Sequence, residues 1–512
     1  MAFSYKRAIT IDHTKVVGNT LGTAITIPRT GWTATADSTY TTYVPAGAIN
    51  GDGESDFWNS DANYPHYLAV DMQAVQRFNK VVIDASNSVN RYFTTWQIYV
   101  SDDGINWGSA IKAGTNGAPG TFTVTLDSYV EKRYIKLVGT AGSDAYMAVR
   151  GLRVVYDLED TDHRNFTLLF SGTYAYLATE ANGGKVKNAS GYDIIFTSDA
   201  EGAVKLDHEI DYYDPATGKI DVWIRIPRLS SSADTVIYLW YGDSGVSTSQ
   251  ENKAGLWAGY TGVWHFGDGA TLSVADSTAT LSCTNHGVTS VAGAVGSGGG
   301  ADFDAASNQY IDCGVPANLD YQAAFAVMAW VKLDTQTQYQ RLLSNLQSPT
   351  YNGYEVYFGY SGGGSDIVPQ LGNGGGVGSV HSGNAVGTGT WKRVHVIFNC
   401  ATFNRAFDRC IDTTYDGGHS YDGGPGLRVG QSSSNLNIGR FSGAAGYYLN
   451  GAVDELRIFV GPFGPTILGG WAPTAHANES SPSTFYAVGD DSLGEGPTRA
   501  DWFLFFLRYL QG

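Results

Sequence analysis

Short strand-forming runs follow one another along this chain too closely for anything but a sheet protein. "RAITID" at Arg7, "KVVIDAS" at Lys80, "WQIYVSD" at Trp96, "KIDVWIRIP" at Lys219, "TVIYLWYG" at Thr235, "FAVMAWVKL" at Phe325 and "DELRIFV" at Asp454 are rich in β-branched and aromatic residues. Gly, Asn-Gly, Asp-Gly and Pro turns separate them, which is the pattern of sandwiches and barrels. No stretch keeps a 3.6-residue apolar period beyond two turns, so no longer helix is predicted. The 65 glycines and the 13% aromatic content fit many tight turns around large core side chains. The fold class predicted is all-β, as several β-sandwiches, since 512 residues suffice for about three domains.

Charge and apolar runs exclude two classes of partner. A formal charge of −17 leaves no basic stripe for nucleic acid. No window reaches the ~18 apolar residues of a membrane span. "DWFLFFLRYLQG" from Asp501 is too short and reads as a buried terminal strand or docking tail. "MAFSYKRAITIDHTKV" carries no apolar leader segment, which predicts a virion protein released by lysis, a fragment, or a surface protein whose leader is not included. Cys283, Cys313, Cys400 and Cys410 match no zinc spacing and read as small buried residues, with room for one disulfide.

Three regions carry resemblances to known families. Between about residues 20 and 157, "AINGDGESDFWNS", "PHYLAVDM", "WQIYVSDDGINW" and "AYMAVRGLRVVYD" resemble a discoidin domain, the coagulation-factor type C module shared with carbohydrate-binding modules. Residues from about 165 to 250, with "GYDIIFTSDAEGAVKLDHEIDYYDPATGKIDVWIRIPRL", resemble a domain family of unknown function. That family opens with a strand like Tyr5–Val16, which implies that the discoidin domain is inserted into a loop of its neighbour. The division expected is 1–16 with 160–252, then 17–158, 253–462 and a tail of 463–512. Residues from about 255 to 460, with "GVWHFGDG", "FAVMAWVKL" and "NGAVDELRIF", resemble a laminin-G/concanavalin-type jelly roll.

"HEIDYYDPATGK" at His208 is the motif most suggestive of catalysis, because Glu209, Asp211 and Asp214 approach the carboxylate spacing of a retaining glycosidase. Glu209 and Asp211 share a strand face. Asp214, however, precedes Pro215 and Gly218, so it starts a turn instead of continuing the strand. The stretch is therefore expected to be structural. Asp454 and Glu455 are expected on opposite strand faces, Glu355 stands alone, and His208, His265 and His395 lack a nucleophile nearby. No catalytic residue is predicted, and the alternative of a glycoside hydrolase or lyase on the jelly roll needs a carboxylate pair in a cleft.

The discoidin resemblance implies a sugar or lipid site on the loops at one end of the sandwich. Tyr64, His66, Arg91, Tyr92 and Phe93 supply the mix of aromatic faces and polar groups that sugars require, with Asn59 and Tyr146 as additions. The bland alternative has Tyr92 and Phe93 capping the barrel end and Arg91 paired with an Asp. Trp58 and Trp107 are assigned to the core. The same resemblance implies Ca²⁺ held by Asn50, Asp52 and Ser55, although "AVRGLRV" places Arg150 and Gly151 where relatives have an acidic residue. Laminin-G relatives imply Asp454 as a further calcium ligand. The function expected is non-enzymatic adhesion to glycans or cell-surface polysaccharide, with a purely architectural assembly role as alternative.

Overall fold

The computed structural model describes residues 3–19, 25–27, 29, 31–50, 56–86, 91–156, 161–268, 271–296, 298–315, 325–360, 364–373, 377–379, 385–399, 405–421, 432–460 and 465–493. Half of the described residues are strand and 8% are helix. Two compact units result: Leu21–Glu159, and Met1–Thr20 together with Asp160–Gly512.

The Leu21–Glu159 unit is built on a seven-stranded antiparallel sheet whose spine is the 19-residue strand His66–Asp84. Its inward face changes phase along its length. Leu68, Val70 and Met72 are buried at even numbers, and Val81 and Ile83 at odd ones. Register shifts against the strand Thr121–Gly142, between Asp71 and Gln76 and between Phe78 and Lys80, absorb the change. Because side chains alternate with period two, such an irregularity is the way one strand keeps a single face buried after a bend. Trp58, Phe78, Phe93, Trp96, Ile98, Leu137 and Val154 fill the core. Trp107 is not among them. It is half-buried at the surface, with Lys136 Nζ 4.3 Å from its ring, because the "SDDGIN" turn carries it out of the strand.

In the larger unit, the strand Tyr5–Ile11 pairs antiparallel with Thr235–Tyr241, with Ile9 opposite Ile237, and on its other side with Tyr486–Val488. A second sheet orders His163–Thr173, Lys219–Leu229 and His208–Asp214. Alternate residues of the two sheets, among them Ile9, Ile11, Leu168, Val222, Ile224 and Leu239, form one core. The remainder is a jelly roll of an eight-stranded and a seven-stranded sheet closed over a separate core. Cys283 and Cys313 form a disulfide and Cys410 is a buried thiol, while Cys400 lies outside the described residues.

One element contradicts the expectation of no long helix. Pro465–Ser480 is a 16-residue α-helix with Pro473 inside it. Gly469, Gly470 and Pro473 remove any propensity signal, and tertiary contacts form the helix instead. Asn478 accepts from the Leu169 N–H at 2.7 Å and donates to the Leu169 carbonyl at 3.0 Å, covering the free edge of the strand His163–Thr173. Glu479, one residue on, reaches the jelly roll: it accepts from Trp330 Nε1 at 2.6 Å and pairs with Arg393 at 3.0 Å. The helix therefore bolts the small β domain to the jelly roll. Among the described residues no helix is long and apolar enough to cross a membrane.

Candidate functional site

The acidic strand resolves into three different environments. Glu209 is 2% exposed and accepts from Trp257 Nε1 at 2.5 Å, Lys253 Nζ at 2.7 Å and Ser277 Oγ at 2.8 Å. Burial pushes its carboxyl up, but His265 and Lys253 more than offset this and hold it far below the usual range. Asp214 accepts from the Ala216 N–H at 2.9 Å and Thr217 Oγ1 at 2.6 Å, closing the turn. Asp211 keeps part of its surface open, yet protein surrounds it on nearly every side, and burial followed by the neighbouring carboxylates raises it to about 7.

The expectation for Asp454 and Glu455 is overturned. Trp330 pairs with Asp454 but Met328 pairs with Arg457, so two residues of the strand Gly451–Val460 oppose one across the bulge. Glu455 takes a left-handed φ of 49° there. Val453, Leu456 and Ile458 point into the jelly-roll core, which leaves Asp454, Glu455 and Arg457 together on the other face. Both acids are at most 2% exposed, so no cleft presents them to a substrate. Asp454 accepts from the Ala294 and Val295 N–H groups at 2.8 and 3.0 Å. It is a buried mid-strand carboxyl and not a rim calcium ligand, and burial with Glu455 beside it raises it well above its ordinary value.

His265 joins these acids. Its Nδ1 lies 2.9 Å from Glu455 and its Nε2 3.4 Å from Glu209. A carboxylate can only accept, so both nitrogens carry protons and the ring is an imidazolium. Burial opposes that charge, but Glu455, Asp211 and Glu209 together raise His265 well above its usual value. Arg457 Nη2 completes the cluster at 2.7 Å from Glu455, and it stacks over Trp223 at 4.0 Å. Asp211, His265 and Glu455 place ligand-type atoms within 4.8 Å of one another, as do Asp12, His13 and Asp234. In the first group the imidazole nitrogens already serve the two glutamates; in the second, His13 Nδ1 pairs with Asp234 at 2.6 Å. Glu355 is not alone either, since Arg341 grips it bidentately at 3.1 and 3.0 Å.

The predicted sugar residues divide by depth. Phe93 is fully buried and Asn59 is 1% exposed, so both lie beneath the surface of the unit. Their strands turn them inward: Phe93 packs edge-on against Phe122, and the Asn59 backbone pairs with Tyr40 and Tyr43. Tyr92 is half-buried, donating from its hydroxyl to the Gly117 carbonyl at 3.3 Å. Tyr64, His66, Arg91 and Tyr146 come together. Tyr64 donates to the Tyr146 carbonyl at 2.8 Å and its ring lies 5.8 Å from His66. Arg91 pairs with Asp144 at 2.7 Å and stacks over the Tyr146 ring at 4.3 Å. His66 Nδ1 lies 3.0 Å from Asp37, which leaves a buried Nε2 without a hydrogen bond among the described residues.

Sequence reading missed Tyr40, Asp37 and Asp144. Tyr40 is 37% exposed and meets Tyr146 edge-on at 5.1 Å. No periodicity flags a tyrosine in a loop. Of the predicted calcium loop, Asn50 is exposed at the end of the short helix Gly47–Asn50, and Asp52 and Ser55 lie outside the described residues. Also missed was an aromatic cluster on the outer face of the jelly roll's seven-stranded sheet. Tyr339, Tyr357, Phe441 and Tyr447 surround the Arg341 guanidinium at 4.6–5.6 Å.

Three segments match family models. An F5/8 type C domain covers residues 33–151, a domain of unknown function covers 190–289, and the concanavalin A-like lectin/glucanases superfamily covers 304–466. A galactose oxidase of Gibberella zeae is 29% identical over 126 residues, which are 23% of this chain and 18% of that enzyme. The match thus spans less than a fifth of the curated relative. Among solved structures, the family 32 carbohydrate-binding module of C. perfringens NanJ in complex with galactose is 24% identical. It covers 26% of this chain and 99% of its own, at a TM-score of 0.24. A chitosan-binding module from Paenibacillus sp. IK-5 is 22% identical over 28% of this chain and 99% of its own, at 0.21.

Proposed function

We propose that this chain is a non-catalytic glycan-binding protein whose sugar site lies on the loops of the Leu21–Glu159 unit. The observation that carries the proposal is the Arg91–Tyr146 stack with Tyr40 packed edge-on against it. Sugars bind where an aromatic face covers their C–H side and fixed polar groups meet their hydroxyls. Here Asp144 holds the guanidinium and Tyr64 ties down the Tyr146 backbone, so the platform loses little freedom on binding. The F5/8 type C match over residues 33–151 supports the same reading. The absence of catalysis is supported by Glu209, Asp454 and Glu455, all buried and already bonded.

A glycan array on the intact protein tests this, run with and without a calcium chelator. Binding that is lost in Arg91→Ala and Tyr146→Ala supports the site. Loss on chelation would add a Ca²⁺ ion at the Asn50, Asp52 and Ser55 loop, whereas failure to bind any glycan would move the protein to an architectural role. The carrier, a virion or a cell surface, is tested separately by whether the polypeptide is present in purified particles.

A further inference from the structure

A cavity remote in sequence from the loops above opens in the small β domain. It measures about 260 Å³ and is walled by the strand His208–Asp214, the segment around Tyr192 and the segment Ser249–Glu251. The register shift between Ile210 and Tyr212 brings Tyr213 onto the same wall as His208 and Ile210. This volume is a little below the ~300 Å³ at which drug-sized pockets begin, and so suits a ligand of one ring.

Most of the wall is committed to internal bonds. Glu251 accepts from the Ile210 N–H at 2.8 Å and Ser249 Oγ at 2.9 Å. Tyr213 donates to the Leu177 carbonyl at 2.6 Å, and Gln250 Nε2 donates to the Thr248 carbonyl at 3.1 Å. Three polar groups are left over. His208 is fully buried, and its Nδ1 lies 3.2 Å from the Leu206 carbonyl. A carbonyl can only accept, so Nδ1 carries the proton and Nε2 presents a lone pair. That Nε2 closes no hydrogen bond among the described residues. Burial keeps the ring neutral, bringing it down to about 4 against the pull of the Leu206 and Ile194 carbonyls. Ser190 and Tyr192 add two wall hydroxyls with no hydrogen-bond partner among the described residues. An orphaned buried acceptor is costly to the fold, a cost that a ligand hydroxyl would relieve.

We infer that this cavity binds a single neutral hydroxylated ring, a monosaccharide unit, one of whose hydroxyls donates to His208 Nε2. The site is independent of the Leu21–Glu159 loops, and so does not rest on the glycan-binding reading made for them. The test uses the full chain carrying Arg91→Ala and Tyr146→Ala, with ¹⁵N-labelled histidine. Galactose, glucose, N-acetylglucosamine and their methyl glycosides are titrated to about 10 mM. The His208 Nε2 resonance, assigned by its loss in His208→Gln, is expected to shift and saturate with at least one sugar. Saturation-transfer signals from that sugar's protons should accompany the shift. Ser190→Trp places an indole at the exposed mouth of the cavity and should abolish both signals. A methyl glycoside that binds as well points to the end of a glycan, and one that does not points to free sugar. No shift with any sugar, which leaves only water in the cavity, or a shift that survives Ser190→Trp, overturns the inference.

Discussion

Glu209 offers a direct test of whether the acidic strand is structural. Glu209→Ala leaves three donors, Trp257 Nε1, Lys253 Nζ and Ser277 Oγ, without their acceptor, and leaves His265 with one fewer carboxylate. Breaking a buried pair from one side costs about 3–5 kcal/mol, because the remaining charge stays buried. In a unit of about 370 residues, an unfolding entropy of ~2.1 cal/mol/K per residue gives about 0.8 kcal/mol/K, so the midpoint should fall by ~4–6 °C. Differential scanning calorimetry of the intact protein reads that shift. Hydrogen exchange should localise it, with protection lost in peptides covering 208–214 and 260–265 and retained in Leu21–Glu159. Glu209→Gln keeps a carbonyl acceptor and should cost less. A Glu209→Ala midpoint within about 1 °C of the parent would refute the reasoning, since an idle surface or catalytic carboxylate is removed at little or no cost to stability.

Other substitutions separate binding from folding. Arg91→Ala and Tyr146→Ala should each weaken glycan binding at least about tenfold with unchanged thermal midpoint, whereas Phe93→Ala should cost about 3–5 kcal/mol of stability measured by denaturant titration. Asp211 is held at about 7, above its ordinary value, so it takes up a proton on folding and its contribution is lost as pH rises from the ordinary carboxylate range through about 7. Asp211→Asn should therefore gain stability relative to the parent across that window, and a midpoint difference independent of pH would rule this out. Arg341→Ala leaves Glu355 buried and unpaired beneath the tyrosine cluster and should destabilise the larger unit by about 3–5 kcal/mol in calorimetry.

Several features were legible from local rules alone. Asp214 starts a turn because Pro215 and Gly218 follow it, a consequence of φ restrictions within six residues. The strands were readable because half-buried sheets impose a period of two, as in Ile220, Val222, Ile224 and Ile226, all of which are buried. Features set at a distance were not legible. The same alternation rule placed Asp454 and Glu455 on opposite faces, and the bulge opposite Ala329 put them on one. The discoidin resemblance assigns Trp107 to the core, yet its turn leaves it at the surface beneath Lys136.

Sequence by itself determined that this chain is β and where its turns fall, because alternation and φ preference are properties of neighbours along the chain. Tertiary structure decided which polar groups are spent and which remain to act. Glu209, His265 and Glu455 meet across 246 residues of chain and bond to one another, and the helix Pro465–Ser480 is held by partners as distant as Leu169 and Trp330. Electrostatics and hydrogen bonding act through space over a few ångströms, so partners distant in sequence leave no mark on it.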